Sequence, residues 1–139
     1  EMALAVAATV PGVDRDMVIA GALLHDIGKT EEISADIGFS YTEAGHLVGH
    51  ITAGALIIDA AALQVQFLSE AERKSLLHIV LSHHGSRDKG SPIGCATREA
   101  VIVHYADELN AVLQQFVETA EKEGAGWNFN KMMGSMIRV

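Results

Sequence analysis

Ala20-Gly21-Ala22-Leu23-Leu24-His25-Asp26-Ile27-Gly28-Lys29 is the stretch that decides how this 139-residue chain is read. Upstream of it, Val18 and Ile19 followed by Ala22 and Leu23 recur at helical spacing, and Asp14 is placed to cap the helix. The pattern predicts a helix over 17–26, stopped by Gly28. His25-Asp26 then falls at the edge of a core, where a charged carboxylate is costly unless a cation compensates it. The pair offers one nitrogen and two oxygens, so its carboxylate can bridge two metal ions. A histidine that merely stabilises the negative end of a helix dipole is the alternative, and the pair alone leaves both open.

Working outward, the rest of the chain reads as helices. Residues 1–9 form a helix closed at Pro11-Gly12, and 29–40 form a polar linker. Thr42 is placed to cap a long helix to about Gln64, on which Gly45, Gly49 and Gly54 suggest a close helix–helix contact. Ser69 with Glu72 fits a capping box for a helix to about Ser82. A Gly/Ser/Asp loop spans 85–94, and Thr97 opens an amphipathic helix to about Lys122. The tail, 124–139, is expected to hold one short helix. No alternating strand pattern of useful length is evident, so the expected fold is all-α, as one domain over residues 1–139.

Composition narrows the function. Eighteen acidic against ten basic residues give a net charge of −8, without the basic footprint of a protein that grips nucleic-acid phosphates unaided. The single cysteine, Cys95, rules out an internal disulfide framework and fits a reducing, cytoplasmic setting. The longest apolar run, 53–63, carries Asp59 and falls short of the roughly 18 residues of a membrane span. The chain starts at Glu1 with no charged-then-apolar leader, so a piece of a longer gene product is expected.

Seven histidines are many for this size, and imidazole is the commonest metal ligand. His50 lies four residues after His46, His83-His84 end a helix before Gly85, and Asp107 lies inside the last long helix, three residues after His104. Each alone reads as a hydrogen-bonded core histidine or a solvated aspartate. Four His/Asp clusters on four apolar helices are more economically read as ligands for two divalent ions that share a water.

His25-Asp26, His50, His83-His84 and Asp107, in this order on helices, resemble the HD-domain superfamily of metal-dependent phosphohydrolases. Leu23-Leu24-His25-Asp26-Ile27-Gly28-Lys29, Gly49-His50-Ile51, Ser82-His83-His84-Gly85, Gly90-Ser91-Pro92 and Asp107-Glu108-Leu109-Asn110-Ala111 are similar to its 3′→5′ exoribonuclease branch, in which an OB-fold precedes the HD domain. Gly94-Cys95-Ala96 departs from that branch, which carries a second proline there, and no histidine precedes His25 to match the family's first metal ligand. The resemblance implies an HD-domain helical bundle with its first metal-binding helix and OB-fold upstream of this chain, and a site weakened by their absence.

By the same resemblance His25, Asp26 and Asp107, with the missing upstream histidine, hold one ion, Asp26 bridges to a second, and His50 with one or both of His83 and His84 completes it. Mixed nitrogen and oxygen ligation suits manganese, favoured by family analogy, with Fe, Co, Ni, Zn or Mg as alternatives. Such ions would activate a water to cleave a phosphodiester of single-stranded RNA or of a nucleotide. Asp26 and Lys29 are the expected catalytic residues, and Lys29, Arg87 and Lys89 the expected phosphate contacts. His46 is left outside the ligand set, and His78 and His104 read as supporting or core histidines. Trp127, Phe129, Met132, Met133 and Met136 read as a cluster capping the core or as a homo-oligomer contact. Three other functions fit the same residues: a small-nucleotide phosphohydrolase, a metal-bearing regulatory or assembly module without turnover, and a di-iron oxidative site.

Overall fold

Asp14 starts the helix that carries the decisive stretch: its Oδ1 accepts from the N–H groups of Asp16 and Met17, each at 3.0 Å. In the computed structural model, which describes residues 1–35 and 38–139, α1 spans Met2–Ala7 and α2 spans Arg15–Leu24. Because α2 stops at Leu24, His25 and Asp26 stand in the turn that follows, before the one-turn α3 (Lys29–Glu32). Short strands β1 (Ile33–Ser34) and β2 (Ser40–Tyr41) pair antiparallel within the expected linker, whose positions 36 and 37 lie outside the described residues.

The long helix expected from Thr42 is two helices. Thr42 does cap the first, α4 (Glu43–Leu47), by accepting from the Gly45 N–H at 2.8 Å. Gly49 then turns at φ 73°, a backbone state that favours glycine, and α5 begins at His50 and runs to Ala62. The capping box forms as read: Ser69 Oγ accepts from the Glu72 N–H, and the Glu72 carboxylate from the Ser69 N–H, opening α6 (Glu70–Ser82). A 3-10 turn, Arg87–Lys89, and α7 (Arg98–Glu123) follow. No helix among the described residues is long and apolar enough to cross a membrane.

The chain forms two compact units, Glu1–His104 and Tyr105–Val139. In the first, Ile58, Leu76 and Val80 make a buried cluster, with Met17, Ala20, Leu24, Ile27, Ala55 and Leu77 packed against it. Small residues set the helix spacing. A Cβ on Gly21 would meet Ile79 Cδ1 at 2.8 Å, which brings α2 onto α6. A Cβ on Gly28 would strike the His50 carbonyl oxygen and lie 2.5 Å from the Gly54 nitrogen. The turn carrying His25 and Asp26 therefore sits backbone to backbone on the start of α5. Of the three glycines expected at a helix contact, Gly54 meets Gly28 and Gly45 lies against Glu32, whereas nothing lies within 4 Å of a Cβ built on Gly49, which serves the turn.

The second unit corrects the expectation for the tail. Residues 124–139 hold an antiparallel hairpin, β3 (Trp127–Asn130) with β4 (Ser135–Arg138), and no helix. Its alternation is inverted, which hid it from a hydrophobicity reading. Asn130 and Ile137 are buried, and Asn130 Nδ2 donates to Thr119 Oγ1 at 3.0 Å, while Trp127 and Phe129 are 66% and 61% exposed. Met132, Met133 and Met136 are exposed too.

Gly28 has an ordinary helical φ of −65°, so its cost on substitution comes from crowding alone. Gly28→Ala is expected to destabilise the chain by about 1–3 kcal/mol, the usual cost of overpacking, as read from the urea midpoint. An unchanged midpoint would mean that the turn is not seated this closely on α5.

Candidate metal centre

Three elements of the N-terminal unit aim imidazoles at one carboxylate. Asp26 follows α2, His50 is the first residue of α5, and His83 and His84 follow α6. His50 Nε2 and His83 Nε2 each lie 3.6 Å from Asp26 Oδ1, and His25 Nε2 lies 3.5 Å from Asp26 Oδ2. The ring centroids of His83 and His84 are 4.3 Å apart, and those of His50 and His84 are 5.2 Å apart.

Each ring is held from behind through Nδ1. His25 Nδ1–H donates to the Ala22 carbonyl at 3.0 Å, His83 to Val80 at 2.7 Å, and His84 to Lys89 at 2.9 Å. His50 Nδ1–H donates instead to the Glu32 carboxylate at 3.1 Å. Carbonyl and carboxylate oxygens carry no proton here, so the ring nitrogen facing them must supply it. That places the lone pair of a neutral ring on Nε2, toward Asp26.

Glycine and serine residues around His83-His84 fix the pair. Gly85 turns at φ 85°, and the His104 ring occupies the space its Cβ would need. His104 Nδ1–H donates to the His83 carbonyl at 2.7 Å, which gives it the supporting role read for it. Ser91, 2% exposed, accepts the His84 N–H on its Oγ at 3.1 Å, so the buried serine of Gly90-Ser91-Pro92 holds the loop to the centre. His78 Nε2 accepts the Ala96 N–H at 2.8 Å and is tied up in the fold.

Burial opposes ionisation of Asp26, but His83, Lys29 and His25 outweigh it and hold its carboxyl well below the usual carboxylate range. For His84, burial first and His83 second push the imidazole down, favouring the neutral, ligating form. His50 Nε2, His83 Nε2 and Asp26 Oδ1 are buried and take no hydrogen bond among the described residues. Polar atoms in that state are costly unless something else binds them. Ligating atoms of His50, His83 and His84 all lie within 4.8 Å of one another, wider than the roughly 3.4 Å between nitrogens that share one ion tetrahedrally at about 2.1 Å but within reach of small rotations of the rings. The donor set fits a divalent cation.

The structure brings His25, Asp26, His50, His83 and His84 together. Lys29 stands at their edge, its Nζ 2.6 Å from Asp26 Oδ2. Arg87 and Lys89 lie exposed on the 3-10 turn, and Lys89 reaches the cluster through its carbonyl. Asp107 lies on α7 within the unit Tyr105–Val139. His46 is exposed beside Tyr41, the ring centroids 5.4 Å apart. Glu32, 8% exposed, was missed: it sits in a polar run without motif spacing, and only its burial marks it out. His50 donates to it from both ring and backbone, which keeps its carboxyl low although burial opposes this.

A carboxyl depressed in the folded state contributes stability above its unfolded pKa, and that contribution disappears as pH falls. For Asp26 the loss starts near the ordinary value of 3.8 and continues downward. In chelator-treated protein, the melting temperature of Asp26→Asn is expected to fall less steeply below about pH 4 than that of the unsubstituted chain. Parallel curves would count against the ionised, paired carboxylate.

Residues 1–112 match the family model of the HD domain. The 3′-5′ exoribonuclease YhaM of Bacillus subtilis (strain 168) is 40% identical over 125 residues, covering 90% of this chain and 40% of the relative. The YhaM enzymes of Bacillus licheniformis and Bacillus velezensis are 40% and 38% identical over the same length. The chain thus spans about 40% of the length of these relatives. No solved structure matches it significantly. With a motif series from His25-Asp26 to His83-His84 folded onto one carboxylate and a family match over most of its length, the chain belongs to the HD domain family, the superfamily of metal-dependent phosphohydrolases.

Proposed function

We propose that this chain is the hydrolytic HD domain of a 3′→5′ exoribonuclease, holding two divalent ions, manganese by preference, around Asp26. The observation that carries the reading is the set of buried Nε2 atoms of His50 and His83 and the buried Asp26 Oδ1, which face one another without hydrogen-bond partners among the described residues. The YhaM relatives support the ribonuclease setting. The single cysteine, Cys95, supports a cytoplasmic one.

When bound, the ions supply a hydroxide near neutral pH and neutralise charge on the phosphoryl group under attack. The chain supplies the rest. Asp26 presents both carboxylate oxygens to the centre, with His25 on the Oδ2 side and His50 and His83 on the Oδ1 side, the arrangement expected of a bridging ligand. Lys29 brings an ammonium to the same edge, where a substrate phosphate can compete with Asp26 for it. Arg87 and Lys89, exposed on the neighbouring turn, are suited to a second phosphate. The exposed Trp127, Phe129 and Met136 on the C-terminal hairpin support self-association through that face.

The test is manganese-dependent hydrolysis of end-labelled single-stranded RNA, run beside a generic phosphodiester and a panel of small nucleotides. Stepwise release of mononucleotides from the 3′ end is expected. Turnover of small nucleotides alone would move the assignment to a nucleotide phosphohydrolase, and manganese binding without turnover to a regulatory module. Asp26→Ala is expected to abolish turnover. Lys29→Ala is expected to leave metal content intact and raise KM about tenfold, the value of one charge-assisted hydrogen bond. Wild-type turnover in Asp26→Ala would end the hydrolase reading.

A further inference from the structure

We propose that Glu32 is a positioning residue for the metal centre, one carboxylate that both orients the His50 ring and caps the helix on which His50 stands. The proposal rests on the metal-binding reading above. Glu32 Oε1 accepts the backbone N–H of His50 at 3.0 Å and its ring Nδ1–H at 3.1 Å. The backbone bond answers a need of the fold. The first N–H groups of a helix lack intrahelical partners, and Gly49, which precedes α5, has no side chain to offer. Glu32 supplies the acceptor from 18 residues upstream and places a negative charge at the positive end of the helix.

The ring bond answers a need of the chemistry. With Nδ1 committed to Glu32, His50 presents Nε2 to Asp26 Oδ1, 3.6 Å away. His25, His83 and His84 are backed by neutral backbone carbonyls, whereas His50 is backed by a carboxylate. A carboxylate behind a ligating imidazole fixes its tautomer and raises its basicity. One residue therefore sets both the position of His50, through the helix start, and its donor strength, through the ring.

Glu32 is in turn held by the segment before α5. Its carbonyl accepts the Thr42 N–H at 2.9 Å, and the Glu31 carbonyl accepts the Thr42 hydroxyl at 2.6 Å. Gly45 lies so close to the Glu32 backbone that a Cβ would strike its carbonyl oxygen. Thr42 also caps α4, so β2, α4 and His50 are referenced to the same two residues.

Two measurements test this. Long-range proton–nitrogen NMR of the unsubstituted, metal-free chain at mildly alkaline pH should find His50 as the Nδ1–H tautomer, and the Nε2–H tautomer would overturn the proposal without any variant. Calorimetric titration with manganese then compares the chain with Glu32→Ala and Glu32→Gln, each checked for folding by circular dichroism. Glu32→Ala should bind about 10–100-fold more weakly, the usual cost of removing such a support. Glu32→Gln, whose amide oxygen can still accept both bonds, should lose less. A folded Glu32→Ala with unchanged affinity would overturn the proposal. Failure of the unsubstituted chain to bind manganese would remove the metal reading and this proposal together, and is told apart because it needs no substitution.

Discussion

The structure of the N-terminal unit depends on one arrangement: imidazoles tied at Nδ1 and turned with Nε2 toward the Asp26 carboxylate. Here Ala22, Val80, Lys89 and Glu32 take the Nδ1 protons of His25, His83, His84 and His50. Buried Nε2 atoms of His50 and His83 left without hydrogen bonds would destabilise an apolar interior. A cation shared with Asp26 would convert that cost into binding energy.

Such a centre requires backbones to approach more closely than side chains allow, and the glycines supply the space. Gly28 lets the Asp26 turn sit on the start of α5, and Gly85 leaves room for the His104 ring beneath His83. Ser91 and His104 then bind the backbone of His84 and His83 from two sides. The residues between these side chains are therefore as constrained as the side chains themselves. Asp26 stays ionised in this setting because the Lys29 ammonium, 2.6 Å from its Oδ2, opposes the effect of burial.

Much of this was legible in the sequence, for physical reasons that differ by element. Asp14, Ser69 with Glu72, and Thr97 act locally, so the starts of α2, α6 and α7 could be read from a few residues. His25-Asp26 and His83-His84 stood out because polar pairs at the ends of apolar helices need a partner. The break at Gly49 was not legible: a glycine in a helical pattern reads equally as a packing contact, and only its φ of 73° shows the turn. The C-terminal hairpin escaped because Trp127, Phe129 and Met136 face out while Asn130 faces in beside Ile137. Glu32 escaped because its significance comes from a fold-dependent contact with His50.

The most direct test of this account is the position of manganese in crystals of the metal-loaded protein, read from anomalous scattering at the manganese edge. The account predicts a peak bounded by Asp26 Oδ1 and the Nε2 atoms of His50 and His83, with the Nδ1 atoms still turned away. A manganese peak elsewhere on the chain, or one that the Nδ1 edges of these rings face, would contradict it.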